Sequence, residues 1–360
     1  RGGERPERPP PQRRRMSPMR AVAAMVERGR LVQRSILLIT DPGPDPDDVK
    51  ALIVAAVLHS KRQINLVGVI ANGGGQPLAR AKLARCVLNH LGVDVPVAVG
   101  SQGKHYEAKP HEFLLPGYEE VDEASFQRGP ELLDKVLRAH SKRSLTVVNI
   151  AALTDLAEAM QRAPDLVQAA VVEVAIMGGL QQDPATGRWA PDQAVNNTFD
   201  MQAAEYVYGF CLEKGLPMLV VSRLAVPKLP MQLAESFALA AGERSPLLQY
   251  LASAQYLGLE GLWVNLCDGK LPPRCTKRWF VETFCGSAAA DLLPRLRQLT
   301  RDTPMREHLN GEVLPYDVVA LMTALPLTRG CFPESLVLES GGATHHLWLD
   351  ASPCLDVKYV

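Results

Sequence analysis

The sequence predicts an α/β protein: an open, mainly parallel sheet with helices on both faces and a helical cap region. Three observations carry that expectation. Residues 36–39 (Ile-Leu-Leu-Ile) are apolar on both faces of a strand, the pattern of a strand buried in a parallel sheet. Strand-like and helix-like segments then alternate along the chain, as crossover connections require. The first strand runs into a turn dense in Pro and Asp, Asp41-Pro42-Gly43-Pro44-Asp45-Pro46-Asp47-Asp48. Open α/β sheets place their ligands at that end of a strand.

The elements follow in order. After the strand at 36–39 and the Asp turn, residues 47–59 read as a helix. Residues 65–70 form a second strand. Gly73-Gly74-Gly75 then leads to a helix near 77–91. Strands follow at 95–99 and 144–150, a helix at 154–162, a strand at 171–177, a helix at 201–214 and a strand at 218–221. Residues 101–129 and 181–199 read as long surface loops. Residues 230–325 are mostly helical in pattern. Strand-like pieces recur at 335–338, 346–349 and 355–360.

Residues 35–360 are expected to form one α/β domain. Residues 1–34 stand apart: ten Arg and three Glu give that stretch a net charge of +7. It reads as a disordered tail or translated upstream sequence, as a transit peptide, or as a basic arm. Because the whole chain sums to zero, the remainder carries −7. An acidic body argues against nucleic acid as a partner. Apolar runs are too short to span a bilayer. The cysteines (Cys86, Cys211, Cys267, Cys275, Cys285, Cys331, Cys354) are odd in number and form no Cys-x-x-Cys. That pattern argues against a disulfide framework or zinc knuckle and favours a reducing, cytoplasmic location, with organelle targeting by the Arg-rich stretch as the alternative.

The chemistry concentrates in the turn. Asp41, Asp45, Asp47 and Asp48 place four carboxylates within eight residues. Packed like charges raise one another's pKa unless a cation is present. A hard divalent cation with oxygen ligands, calcium above all, relieves this. The bland reading makes these residues turn formers and helix caps. The spacing is not that of an EF-hand. Asp45-Pro46-Asp47 also meets the bare Asp-x-Asp pattern of glycosyltransferases.

The turn and the segments after it resemble the inosine-uridine type nucleoside N-ribohydrolases. Asp41-Pro42-Gly43, Asp47-Asp48 and Ala51-Leu52 are similar to that family's first strand end and helix start. Val69-Ile70-Ala71-Asn72-Gly73 resembles its second strand, and Ala152-Leu153-Thr154-Asp155-Leu156-Ala157 its Leu-Thr-Asn-Leu-Ala segment. Ile176-Met177-Gly178-Gly179 resembles its Met-Gly-Gly strand end. Asn196 through Asp200-Met201-Gln202-Ala203-Ala204 and Tyr316-Asp317-Val318-Val319-Ala320 complete the order. The resemblance spans roughly residues 35–325 and implies a nucleoside-hydrolase-like fold. It implies calcium held by Asp41, Asp48, the Thr154 main-chain carbonyl and Asp317, with Asp41 also the base that activates water. Asp47, Asn72 and Asn196 would hold ribose hydroxyls, and Met177 would lie beside the sugar. The substrate would be a small nucleoside or ribosyl compound, and a homo-oligomer is implied by analogy. A non-catalytic nucleoside- or sugar-binding protein and a hydrolase of another glycoside are the alternatives.

Four departures mark the chain. Ile39 stands where the family carries a further Asp, and the turn is two residues longer, so Asp45 competes with Asp47. Ala194 replaces an acid that contacts the ribose 5′ end. Tyr316 replaces a late His; its ordinary pKa near ~10 makes it a weak proton donor. Trp263 and Trp279 lie in the region where the family recognises the base; core packing is the commoner role for such rings, with base stacking as the alternative. Asn265 and Asp268 are further residues of that region. His105 and His111 sit in a long loop that is able to approach a site. His345-His346 reads as an edge or surface pair whose rings face opposite ways. Gly73-Gly74-Gly75 lacks a following P-loop Lys and reads as a tight turn. Ser222 carries no nucleophile motif.

Overall fold

The computed structural model describes residues 34–350, apart from 106–108, 110, 141 and 333. The expectations for residues 1–33 and for a strand at 355–360 lie outside the described residues. The first strand, β1 (Arg34–Thr40), is central in a nine-stranded sheet. Its flanking partners are β2 (Ile64–Ala71) on one side and β5 (Leu145–Asn149) on the other, both parallel. Successive strand residues face opposite ways, and both faces of β1 are covered. Ile36 and Leu38 join one hydrophobic cluster, Leu37 and Ile39 the other. That is why the strand reads as a continuous apolar run.

Beyond β2 the sheet continues through β3 (Val97–Val99) to β4 (Gln127–Arg128). Beyond β5 it continues through β6 (Val171–Gly178) and β9 (Met218–Ser222) to a closing antiparallel hairpin, β10 (Leu336–Ser340) and β11 (Ala343–Trp348). The chain adds strands to one side of β1 and then returns to the other. The crevice between β1 and β5 is therefore a topological switch point, the position where such sheets bind ligands.

Helices α1 (Asp47–Ser60) and α2 (Pro77–His90) cover one face, with Leu52, Ala55, Leu83 and Val87 in its core. The other face is covered by α3 (Gly129–Ala139), α4 (Thr154–Arg162), α5 (Pro164–Ala170) and α7 (Met201–Lys214), after a short α6 (Val195–Phe199). Their buried contributions include Leu132, Leu156, Val167 and Val207. Past β9 come α8 (Gln232–Ala241), α9 (Pro246–Cys267) and α10 (Lys277–Phe284), which build a third cluster around Trp263, Phe280 and Phe284. Helix α11 (Tyr316–Thr323) returns to the sheet, packing Val319 and Leu321 beside α1 residues.

Three segments differ from the sequence reading. Residues 101–129 end in β4, which is two polar residues long and so leaves no apolar pattern. Residues 181–199 contain a hairpin, β7 (Leu180–Gln182) with β8 (Trp189–Pro191), and then α6. Its turn is held by the Asp183 carboxylate, which accepts from the amides of Ala185 and Thr186 at 2.8 Å each. Helices α3 and α5, each opened by a proline in its first turn, were not anticipated. The rings of His345 and His346 do face opposite ways, but His345 is fully buried and so is not a surface histidine. Among the described residues, no helix is long and apolar enough to cross a membrane.

Candidate functional site

Strand β1 delivers Thr40 and Asp41 to the switch point, and α1 returns Asp47 and Asp48 to the same place. The two carboxylates at the α1 start do not act as helix caps. Pro46 holds the N-cap position without a side-chain bond. Asp48 instead reaches back to the strand. Its Oδ1 accepts from the Thr40 hydroxyl at 2.6 Å and from the Asp41 amide at 2.9 Å. Asp45 is exposed, and its Oδ1 accepts from the Asp47 amide at 3.2 Å, which shapes the two additional residues of the turn. Asp47 Oδ2 accepts from the Asp317 amide at 3.1 Å, so the first turns of α1 and α11 meet here, 270 residues apart in sequence. Helix N-termini favour negative charge, and two of them converge on this cluster.

The turn is also pressed from outside. A Cβ on Gly258 of α9 would lie 2.7 Å from the Pro44 carbonyl oxygen. Gly258→Ala is therefore expected to push the turn aside and lower stability by about 1–3 kcal/mol, a change that thermal unfolding would detect. His111 reaches the same carbonyl at 3.3 Å, so the long loop does approach the turn. The glycine triplet adopts left-handed backbone at all three positions, with φ of 79°, 68° and 72°. Gly73 and Gly75 donate to the carbonyls of Ser101 and Gln102, at 2.8 Å each. The triplet lets two loops lie backbone against backbone, as a tight turn does.

Burial dominates the electrostatics. It raises the Asp41 carboxyl well above its ordinary range; Asp48 raises it further, and Arg80 opposes. Asp47 is pushed up to about 8 by burial and by Asp45, against Lys50. Burial also raises Asp48, opposed first by the Thr40 hydrogen bond. Asp317 is raised by burial and then by Asp48, Asp47 and Asp41. Asp47 Oδ1 and Asn72 Oδ1 are buried without a hydrogen-bond partner among the described residues. Such atoms are costly unless something else satisfies them. Hard oxygen donors under mutual repulsion suit a divalent cation in donor chemistry and in charge. Among the described residues, no group of three His, Cys, Asp or Glu side chains is already placed to hold a metal ion, so the fit lies in donor chemistry and charge and not in a preformed shell.

The remaining candidates surround this cluster. Asn72 follows β2 and is fully buried. Its amide nitrogen donates to Asp155 Oδ2 at 2.7 Å and to the Ala152 carbonyl at 3.2 Å. Asp155 also accepts from the amide and hydroxyl of Ser101. Thr154 opens α4 beside it, its hydroxyl donating to Asp200 Oδ2 at 2.8 Å. Asn196 donates to the carbonyls of Ile150 and Met177, tying the ends of β5 and β6 together. Met177 is buried at the end of β6. Tyr316 lies at the start of α11, its hydroxyl pushed up to about 12 by burial and then by Asp45 and Asp47. Trp263 is not brought to the site. It is 1% exposed, packs on Phe280 and donates to the Thr300 carbonyl, so of the two readings core packing holds and base stacking does not. Trp279 packs edge-on against Phe284, and Asp268 pairs with Lys270 and Arg301.

Three features of the site went unread in the sequence. Arg80 of α2 is buried against Asp41, Asp155 locks Asn72, and an Asp192–Arg223 pair at 3.2 Å lies beyond β6 and β9. A signal existed for Arg80. It shares the helix face of Ala84, Val87 and Leu88, where a charge needs a buried partner.

The comparisons with known proteins agree with the fold. The sequence profile described as inosine-uridine preferring nucleoside hydrolase matches residues 36–328. A curated inosine-uridine preferring nucleoside hydrolase of Leishmania major is 28% identical over 187 residues, 49% of this chain and 57% of that protein. The match thus spans little more than half the length of that relative. Among solved structures, the type III effector protein XopQ complexed with adenosine diphosphate ribose is similar at 26% identity and a TM-score of 0.71, covering 94% of this chain and 95% of that one. A purine-preferring ribonucleoside hydrolase from Gardnerella vaginalis shares the fold at 14% identity and a TM-score of 0.54, covering 88% of this chain and 94% of that one.

Proposed function

The chain belongs to the inosine-uridine preferring nucleoside hydrolase family, and on that premise we propose that it hydrolyses the N-glycosidic bond of a ribonucleoside or related ribosyl compound. The products are the free base and ribose. The observation that carries the reading is the convergence at the switch point of Asp48 and Asp317, both buried, with the half-buried Asp41, as mutually repelling carboxylates. Such a set supports a divalent cation held by these three and by the Thr154 carbonyl, and calcium suits the all-oxygen donors. When bound, the cation orients the sugar diol and makes a bound water more acidic.

The chain's own groups divide the rest. Asp41 Oδ2 accepts from Arg80, which leaves Oδ1 to take the proton of the attacking water. Water adds to C1′, the C1′–N bond breaks, and its electron pair leaves with the base, which takes up a proton. Buried carboxylates beside the ring stabilise the oxocarbenium character that develops as this bond breaks. Asp47 Oδ1 and Asn72 Oδ1 have no hydrogen-bond partner among the described residues, which supports their reading as acceptors for ribose hydroxyls. Asn196 spends its amide hydrogens on main chain and would receive a hydroxyl on its oxygen. Tyr316, protonated throughout the neutral range, would offer the leaving base a hydrogen bond and little acid catalysis.

A second reading, a ribosyl-ligand binder without turnover, is supported by the structurally similar protein solved with adenosine diphosphate ribose. Ala194 and Tyr316, in place of an acid and a histidine, point the same way. One assay separates the two. Release of base and reducing sugar would be followed with inosine, uridine, adenosine and adenosine diphosphate ribose, in calcium and in chelator, beside calorimetric binding of each. Calcium-dependent release from at least one compound is expected. A folded, calcium-loaded protein that turns over none of them would sink the first reading, and binding without release would leave the second.

A further inference from the structure

Arg80 lies behind the carboxylate turn, in the first helical turn of α2, and is 1% exposed. Its Nη1 donates to Asp41 Oδ2 at 2.9 Å and to the Asn72 carbonyl at 2.8 Å. Asp41 follows β1 and Asn72 follows β2. One guanidinium therefore joins the loops that leave two adjacent strands. Burial this deep keeps Arg80 away from any substrate, and a buried charge of this kind persists only with a well-matched partner.

We propose that Arg80 is a positioning residue that sets how strongly the carboxylate turn holds a divalent cation. It fixes Asp41 through Oδ2, leaves Oδ1 for the cation and the reacting water, and cancels one unit of the turn's negative charge. This rests on the reading of Asp41, Asp48 and Asp317 as the cation's ligands. Other charges act at the same place: Asp45 on Asp41, and the buried Glu112 on Arg80. Lys50 opposes the charge of Asp47, and its Nζ is anchored on Gln255 at 2.6 Å.

Two consequences follow in opposite directions. Without Arg80 the turn loses its internal cation and comes to depend on an external one. The cation, relieved of a like charge at close range, binds more tightly. A role confined to general packing would move both stability and cation affinity downward.

The test uses the full chain, stripped of metal, with Arg80→Met and Arg80→Lys. Calcium affinity would be measured by calorimetry and the unfolding midpoint across a calcium titration. Arg80→Met is expected to unfold at a lower temperature without calcium and to gain a larger calcium-induced rise than the parent. It should bind calcium at least about tenfold more tightly, since a like charge a few ångströms away is removed. Arg80→Lys keeps the charge and should stay near the parent in calcium affinity. It should lose turnover, because an ammonium on a shorter, more flexible stem does not hold the fixed plane that aims Nη1 at both acceptors. If Arg80→Met folds only when calcium is added, the proposal is supported. A calcium affinity for Arg80→Met equal to or weaker than the parent's overturns it. So does failure of calcium to restore that variant while Arg80→Lys folds and responds normally. Failure of the cation reading itself shows separately, as a parent protein that binds no calcium, and the role given to Arg80 falls with it.

Discussion

Asp41→Asn is expected to remove turnover, by roughly 10³-fold or more, the scale set by loss of a general base together with a change at a cation ligand. Folding should survive, because an Asn carbonyl oxygen still accepts from Arg80, which donates to Asp41 at 2.9 Å in the parent. The substitution also removes a carboxylate that burial and Asp48 both disfavour. Steady-state release of base, read beside near-ultraviolet circular dichroism, checks both halves. An unchanged rate in a folded variant would mean that the base lies elsewhere, and Asp45 and Asp47 would be the next carboxylates to replace.

Trp263→Ala should act in the reverse sense, with a large loss of stability and little direct effect on substrate binding. The ring is 1% exposed, packs tilted against Phe280 with ring centroids 5.1 Å apart, and its indole nitrogen donates to the Thr300 carbonyl. Truncating a buried aromatic of this size costs about 3–5 kcal/mol. The loss bears on the site only through α9, which carries Gly258 against Pro44. Denaturant unfolding gives the stability, and KM of the surviving enzyme gives the binding. A variant of parental stability with KM raised severalfold would restore the ring to base stacking and contradict its place in the helical core.

The parts of this architecture that were legible in the sequence share one property, a repeating pattern with a single physical meaning. A strand apolar on both faces, such as residues 36–39, fits only the middle of a covered sheet. Helices at 154–162 and 201–214 ended where the structure ends them. Asp317 was placed beside the turn from the order of short motifs, and its amide does meet Asp47. Periodicity alone would not have joined residues so distant in sequence.

What escaped the sequence is held by single polar contacts or by very short pairings. Strand β4 is two residues of Gln and Arg, added to the sheet through Ala98 and Val99. The hairpin before α6 rests on one Asp side chain. Asp155 reads from sequence as an unremarkable first-turn acid of α4, yet it binds Asn72 and Ser101 together. Arg80 was visible as a charge on an apolar helix face, but its partner lies 39 residues away. Trp263 shows the converse limit: an aromatic in a helical segment has the same signature whether it packs in a core or lines a site.

The claim at the centre of this account is that the β1 turn and the α11 start form one cation site. Diffraction from crystals grown with calcium, with anomalous scattering from a lanthanide exchanged into the same position, measures it most directly. The account predicts one ion with oxygens of Asp41, Asp48, Asp317 and the Thr154 main chain at about 2.3–2.6 Å for calcium. Arg80 should remain on the opposite oxygen of Asp41. Saturating cation with no density among these carboxylates, or an ion bound only at the surface, would contradict it.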